Sequence, residues 1–143
     1  RIILEDKPLN ISNVGYGVSQ SLPIVVELFA RPKNSWFAIQ QPEVHLHPRA
    51  QAALGNIFCD LALHEKKRFF IETHSDFIID RFRLNVRQSN KPLTSQVVFF
   101  EQVNGFNKAS PIKILSDGKY SEDQPESFRH FFIKEELSVL GIR

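Results

Sequence analysis

The 143-residue chain has no methionine, and its one cysteine is Cys59. A single cysteine excludes an internal disulfide framework and suits a reducing compartment, so we expect a cytoplasmic protein. No apolar run approaches the roughly 20 residues that a bilayer-spanning helix needs, and we therefore expect no membrane partner. The chain also begins without methionine or a secretory leader, and on these grounds we take it to be a fragment of a longer protein.

The net charge of the chain is also small. The formal value of +2 is too small to indicate nucleic acid binding by itself, although the basic balance leaves DNA open as a partner. Basic residues cluster loosely at Arg81, Arg83, Arg87 and Lys91. Such a cluster on a predicted helix and loop is more simply solvated surface charge.

The most informative stretch covers residues 36–48, where an apolar run ends in polar residues and prolines. Trp36 to Ile39 is typical of a short buried strand. Gln40-Gln41-Pro42-Glu43 should end that strand, because proline cannot continue a central strand. A helix is predicted from Arg49 to His64. In open α/β sheets the carboxyl ends of parallel strands bind ligands, so this polar tip is a candidate site.

A second unit repeats this plan. Phe69 to Ser75 is predicted as a buried strand with Thr73-His74-Ser75 at its tip, and Asp76 to Arg83 as the next helix. Cations in Lys66-Lys67-Arg68 suit the end of the preceding helix. Two successive strand–tip–helix units predict a parallel sheet with crossover helices.

A glycine-bearing loop from Asn13 to Gln20 precedes an apolar helix predicted from Ser21 to Ala30. Loop amides and a helix N-terminus form an anion site, and Ser19 and Gln20 could add hydrogen bonds to a phosphate. An ordinary capped helix start explains the same pattern. Pro23 is acceptable if it lies in the first turn of that helix.

The pattern changes after residue 92, and we expect two domains, 1–92 and 93–143. In the second, 95–101 and 110–115 are predicted strands, and Asn104-Gly105 favours a hairpin turn between them. A final helix is predicted over 125–140. Its inner face would carry Phe128, Phe131, Phe132, Leu137 and Leu140.

The polar residues raise three possibilities: metal binding, covalent catalysis and phosphate chemistry. Glu43, His45 and His47 could hold a metal ion, but no third spaced histidine or cysteine completes a zinc pattern, and we predict no dedicated metal site. No Gly-x-Ser-x-Gly elbow surrounds Ser19 or Ser75, which disfavours covalent catalysis. Phosphate chemistry fits better, because the glycine loop and two polar strand tips supply amide donors, water-positioning groups and a histidine.

The order of these segments resembles the second half of an ABC-type AAA family ATPase of the OLD/RecF/SMC-like branch. Residues 14–20 resemble the signature motif of that group, 39–48 its Walker B segment and D-loop, and 72–75 its switch-histidine segment. Residues 114–141 resemble the short C-terminal domain of unassigned function in one subgroup. The resemblance implies a partial P-loop NTPase layer of parallel strands and crossover helices, followed by a hairpin and a helix.

The resemblance also implies residue roles. Gly17, Ser19 and Gln20 would contact ATP bound by a second subunit, and residues 44–48 would lie at the homodimer interface. His74 would contact the γ-phosphate. The magnesium-arranging and water-polarising positions would be Gln40 and Gln41, with Glu43 the nearest carboxylate.

Two departures from the family pattern matter. Gln40 and Gln41 replace the usual Asp-Glu, and a neutral glutamine orients water but cannot take its proton. No Gly-x-x-x-x-Gly-Lys-[Ser/Thr] segment occurs in the chain, so the Walker A half should lie upstream of Arg1. ATP and Mg²⁺ would bind, and ATPase activity would appear, only when that half is joined to this one.

These observations favour an ATP-binding, dimerising ATPase head with slow or gated hydrolysis, in DNA-related or anti-phage defence work. The first alternative is a nucleotide-sensing scaffold without turnover that recruits an effector protein. A metal-dependent nuclease using Glu43, His45 and His47 is the second alternative.

Overall fold

The computed structural model describes the backbone of residues 2–4, 7–9, 15–89, 91–128 and 130–141, and the side chains of 15–89, 91–128, 130, 133, 134 and 137–141. Two compact units divide the chain, Arg1–Leu93 and Thr94–Arg143. None of the described helices is both long and apolar enough to cross a membrane.

The first unit contains four strands and three helices among its described residues. In chain order they are β1 (Ile2–Leu4), β2 (Lys7–Leu9), α1 (Tyr16–Ala30), β3 (Trp36–Gln40), α2 (Pro48–Glu65), β4 (Arg68–Glu72) and α3 (Asp76–Ser89). Strands β1 and β2 pair antiparallel. Strands β3 and β4 pair parallel, with Gln40 opposite Glu72, so both strands end at the same edge. The predicted parallel pair, with a helix between its strands, is confirmed.

The parallel pair buries one face only. Side chains alternate between the two faces of a strand, and Phe37, Ile39, Phe69 and Ile71 turn inward. They pack on a buried cluster drawn from the three helices: Leu28, Leu54, Phe58, Leu61 and Ile78. The opposite face carries Trp36, Ala38 and Phe70 and is exposed.

Helices α2 and α3 approach each other closely at Gly55. A Cβ atom at this position would lie 2.5 Å from the carbonyl oxygen of Ile78. Farther along the same pair of helices, Asn85 Nδ2 donates to Asn56 Oδ1 at 2.8 Å. Only glycine, which has no Cβ atom, permits the close approach of the two helices at position 55.

Lys67 does not serve the end of α2 as an exposed cation. Lys66 ends that helix in the left-handed region, with φ of 55°, and Lys67 turns inward with a side chain that is 0% exposed. Its Nζ donates to the carbonyl oxygen of Leu28 at 2.6 Å and pairs with Glu65 Oε2 at 2.6 Å. The lysine thus satisfies a carbonyl near the end of α1, where helical carbonyls have no intrahelical donor.

Two predicted helix boundaries in the first unit were wrong. Helix α1 begins at Tyr16 rather than Ser21, so Gly17, Ser19 and Gln20 lie in the helix and Pro23 lies in its interior. Proline has no N–H, and the helical hydrogen bond to the carbonyl of Ser19 is therefore not made. Helix α3 continues to Ser89, beyond the predicted end at Arg83.

The second unit is a hairpin with a C-terminal helix. Strands β5 (Ser95–Val103) and β6 (Phe106–Ile114) pair antiparallel, and the helix is α4 (His130–Val139). The predicted turn is confirmed, since Asn104 and Gly105 join the strands with positive φ angles of 50° and 81°.

The inner face predicted for the last helix was partly wrong. Helix α4 begins at His130 rather than at the predicted residue 125, so Phe128 precedes the helix. Phe128 packs edge-on against Phe99 and Tyr120, with ring centroids 5.3 and 5.0 Å apart. Leu137 and Leu140 are exposed. The side chains of Phe131 and Phe132 lie outside the described residues.

Candidate nucleotide site

The candidate site begins where β3 ends. The Gln41 amide donates to the carbonyl oxygen of Glu72 at 2.8 Å, which extends the parallel pairing by one hydrogen bond. Gln41 then enters the left-handed region with φ of 44°, and His45 does so with φ of 63°. These two angles fold residues 41–47 into a tight turn, here called the β3 turn. Gln40 is exposed, whereas the side chain of Gln41 is half-buried.

Glu43 lies inside the β3 turn, and its side chain is 8% exposed. Its Oε1 accepts a hydrogen bond of 2.7 Å from the backbone N–H of His74. Its Oε2 is buried, and among the described residues it has no hydrogen-bond partner. The carboxylate therefore joins the β3 turn to residues 73–75, here called the β4 loop.

Gln51 of α2 makes a second connection between these two segments. Its Nε2 donates to the carbonyl oxygen of Leu46 at 2.8 Å, and its Oε1 accepts from Ser75 Oγ at 2.6 Å. Ser75 Oγ also accepts from the backbone N–H of Ile78 at 3.2 Å, which caps the start of α3. Two side chains thus hold the β3 turn and the β4 loop together.

The start of α1 has the character of an anion-binding helix terminus. Gly15 precedes the helix and has no side chain to cap it, and no acidic residue lies in the first turn. The N–H groups of this first turn lie at the positive end of the helix dipole, where the Val18 N–H donates to the carbonyl oxygen of Gly15 at 2.9 Å. Ser19 Oγ donates to the carbonyl oxygen of Tyr16 at 2.8 Å, and Gln20 Nε2 donates to the Tyr16 hydroxyl at 3.0 Å.

The start of α1 also packs directly on the β3 turn. A Cβ atom on Gly17 would lie 2.3 Å from the carbonyl oxygen of His45. The ring of Tyr16 meets the His45 ring edge-on, with centroids 4.7 Å apart. The β3 turn is therefore in contact with α1 on one side and with the β4 loop on the other.

The two histidines of the β3 turn make different contacts. His47 precedes α2, and its Nδ1 accepts from the backbone N–H of Arg49 at 3.3 Å. His45 is exposed beside Tyr16. In the part of the chain that the structure describes, no three His, Cys, Asp or Glu side chains are placed to hold a metal ion. The ligand set required by the nuclease alternative is thus not assembled there.

Sequence reasoning missed three residues of this arrangement: Tyr16, Gln51 and Ser75 as a partner of Gln51. Their contacts join residues far apart in the chain, such as Ser75 with Gln51. No motif spacing signals contacts of this kind. Gln41, Glu43 and His74, by contrast, were predicted at the strand tips and do lie at one edge of the parallel pair.

Comparison with known proteins assigns the family. A family described as "AAA domain, putative AbiEii toxin, Type IV TA system" matches residues 4–80, more than half of the chain. The chain belongs to this family. It is thus a relative of ABC/AAA-type P-loop ATPases and a domain of ATPase type. No curated protein shows significant sequence similarity to it.

A solved structure supports the same fold. The AAA family chain matches a protein from work on ATP-driven dimerization and DNA-stimulated activation of SMC ATPases, with a TM-score of 0.55 and 14% sequence identity. The match covers 90% of this chain and 64% of that one, so the present chain spans less than two thirds of its neighbour's length. At this identity the likeness shows the fold alone.

Proposed function

We propose that this chain is the C-terminal part of an ATP-binding, dimerising ABC-type ATPase head with slow or gated hydrolysis. The observation that carries the proposal is the single edge that unites Gln41, Glu43 and His74 and contacts the start of α1 through the β3 turn. Membership of the AAA family supports ATP as the bound nucleotide. The Walker A segment would be supplied from outside these 143 residues, in the upstream half of the same protein.

In this proposal two groups of residues serve two nucleotides. His74 would contact the γ-phosphate of the nucleotide bound by its own subunit. Gly17, Ser19 and Gln20, at the start of α1, would contact the nucleotide of the second subunit, where the positive end of the helix dipole suits phosphate oxygens. Residues 16–20 and 44–48 would form the homodimer interface, and their contact through Gly17 and His45 supports one continuous surface.

The residues present fit Mg²⁺ and ATP in part. Glu43 Oε2 is a buried carboxylate oxygen that lacks a donor among the described residues, and a hydrated cation or a water would satisfy it. Gln40 and Gln41 would hold magnesium-bound water through their amide oxygens. Mg²⁺ would supply charge neutralisation between phosphates.

Hydrolysis is expected to be slow because of the neutral strand tip. Gln41 can orient a water but cannot accept its proton, and general base catalysis typically contributes roughly 10²–10⁴-fold. We therefore place turnover under the control of dimerisation or of a substrate. DNA-related or anti-phage defence work in the cytoplasm is the setting we favour, supported by the DNA-stimulated SMC neighbour.

The second candidate is a nucleotide-sensing scaffold without turnover that recruits an effector protein. The neutral end of β3 favours this candidate, because neither Gln40 nor Gln41 carries a carboxylate. The two candidates differ in turnover and share nucleotide binding.

ATP hydrolysis by the full-length natural protein tests the proposal, together with Ser19→Arg, His74→Ala and Gln41→Glu. Ser35→Arg and His64→Ala are matched controls, because Ser35 precedes β3 and His64 lies in the last turn of α2, whereas the β3 turn follows β3 and precedes α2. Turnover that is lost in Ser19→Arg and His74→Ala but kept in the controls supports the dimeric ATPase. ATP binding without turnover supports the scaffold, and the absence of ATP binding overturns both candidates.

A further inference from the structure

We propose that Glu43 is a positioning residue that acts through His74, by holding the backbone of the β4 loop against the β3 turn. The role of His74 itself rests on the proposed function. The contact between Glu43 and His74 does not, and it can be tested in the absence of nucleotide.

Glu43 links the β3 turn to the β4 loop through a hydrogen bond with the His74 N–H, here called the tie. Its Oε1 accepts from the His74 N–H at 2.7 Å, inside the protein. A hydrogen bond to a buried carboxylate is shorter and stronger than one between neutral groups. The two partners lie 31 positions apart in the chain, so the bond closes a long loop. Its loss would free the amide, and with it the position of the His74 side chain.

Backbone geometry indicates that the inward direction of Glu43 is specified. Gln41 and His45 flank the residue on either side, and both adopt φ angles that side-chain-bearing residues rarely take. Such angles persist only where the surroundings hold them. Here the surroundings include the Gly17 backbone against the carbonyl of His45.

Gln51 strengthens the same connection from the other end. It joins Leu46 of the β3 turn to Ser75, the residue after His74. Together, Glu43 and Gln51 make the β3 turn and the β4 loop one unit, which also contacts the start of α1. The segment proposed for the γ-phosphate and the segment proposed for the partner's nucleotide therefore share one support.

A positioning role and a proton-accepting role predict different behaviour for two substitutions. Glu43→Gln keeps an acceptor for the His74 N–H and loses the charge. Glu43→Leu has a similar size and loses the acceptor. Positioning needs only the acceptor, whereas proton transfer needs the carboxylate.

Amide hydrogen exchange of the chain without nucleotide tests the tie. We expect His74 N–H protection to survive in Glu43→Gln and to fall roughly tenfold or more in Glu43→Leu, as for the loss of a hydrogen bond to a charged acceptor. The Leu46 N–H is an internal control, because it donates to the backbone carbonyl of Glu43 at 2.9 Å. Unchanged His74 protection in Glu43→Leu would overturn the proposal. If the Leu46 amide loses protection as well, the turnover of Glu43→Gln decides.

Turnover by the full-length protein tests whether the tie acts through His74. Glu43→Gln should keep more turnover than Glu43→Leu, whereas the loss of a general base would cost both variants roughly 10²-fold or more. Glu43→Leu should lose turnover while the Leu46 N–H stays protected, whereas a general loss of structure would lower both. Loss of turnover in Glu43→Gln with a protected His74 amide would make Glu43 the proton acceptor and overturn the proposal.

The two proposals fail separately. If the natural protein shows no turnover, hydrolysis fails, and amide exchange still decides whether Glu43 holds the His74 backbone. If turnover is present and His74 protection is independent of Glu43, the tie fails and the ATPase stands.

Discussion

At the scale of single residues, the candidate site depends on close contacts that leave no room for an added atom. Gly17 is the sharpest case, because a Cβ atom there would lie 2.3 Å from the His45 carbonyl oxygen. A contact under 3.0 Å with backbone cannot be relieved by rotating a side chain. Either α1 or the β3 turn must move.

We therefore expect Gly17→Ala to lower the free energy of unfolding by about 1–3 kcal/mol, the usual cost of overpacking. Gly15→Ala is the matched control, since a Cβ atom at Gly15 meets nothing within 4 Å. Urea unfolding of both variants measures the difference. Equal stabilities would mean that α1 does not pack on the β3 turn as described.

Cys59 offers a second test at this scale. Burial, and then the neighbouring charge of Asp60, raise the pKa of its thiol. A raised folded-state pKa contributes stability below the unfolded value, near about 8.5, and that contribution is lost as pH rises through the folded value. We expect a thiol reagent to label Cys59 only after denaturant is added, up to pH of about 9. Rapid labelling of the native chain would contradict its burial.

At the scale of elements, Lys67, the residue before β4, stabilises the end of α1 in addition to the helix's own cap, in which the Arg31 N–H donates to the carbonyl oxygen of Glu27. Lys67 Nζ reaches the carbonyl of Leu28 across 39 positions of the chain. Its partner Glu65 is about one third exposed, so solvent weakens the ion pair and the hydrogen bond to the carbonyl carries more of the effect.

Replacing Lys67 by methionine keeps the apolar stem and removes the donor. We expect Lys67→Met to destabilise the chain by about 1–3 kcal/mol, since a buried carbonyl and one carboxylate lose their partner. Lys66→Met is the control, because Lys66 is exposed and next in sequence. Urea midpoints that agree between the two variants would show that the buried contact contributes nothing.

At the scale of the whole molecule, the first unit has one covered and one open sheet face. Trp36 and Phe70 lie on the open face with 72% and 69% of their surface exposed, and Arg68 stacks over Trp36 at 4.9 Å. Two exposed aromatic side chains on one face of a two-stranded sheet make an apolar patch of the kind that promotes association.

The 143-residue chain should therefore self-associate, and Trp36→Ser combined with Phe70→Ser should reduce that association severalfold. Sedimentation velocity over a range of concentrations measures it. Phe106→Ser is the control, because Phe106 is 79% exposed in the other unit and should leave association unchanged. A clean monomer at high concentration would contradict the role of the open face.

Much of the fold could be predicted from local pattern. The parallel strands, the helix between them and the Asn104-Gly105 turn follow from apolar periodicity and from residues that favour positive φ. Helix boundaries were less predictable. Gly17 and Pro23 have low helix propensity, yet α1 runs through both. The packing of α1 on the β3 turn stabilises the helix by more than these two residues destabilise it.

The sequence by itself determined the α/β class, the position of the two strand tips and the identity of Gln41, Glu43 and His74 as polar residues there. These are local properties, set by side-chain pattern and by proline. Tertiary structure decided that Glu43 turns inward to the His74 amide, that Gln51 joins Leu46 to Ser75, and that Lys67 is buried under α1. The contacts of Glu43 with His74, of Gln51 with Ser75 and of Lys67 with Leu28 join residues 24 to 39 positions apart, so only the packing of helices on the sheet brings them within hydrogen-bonding distance.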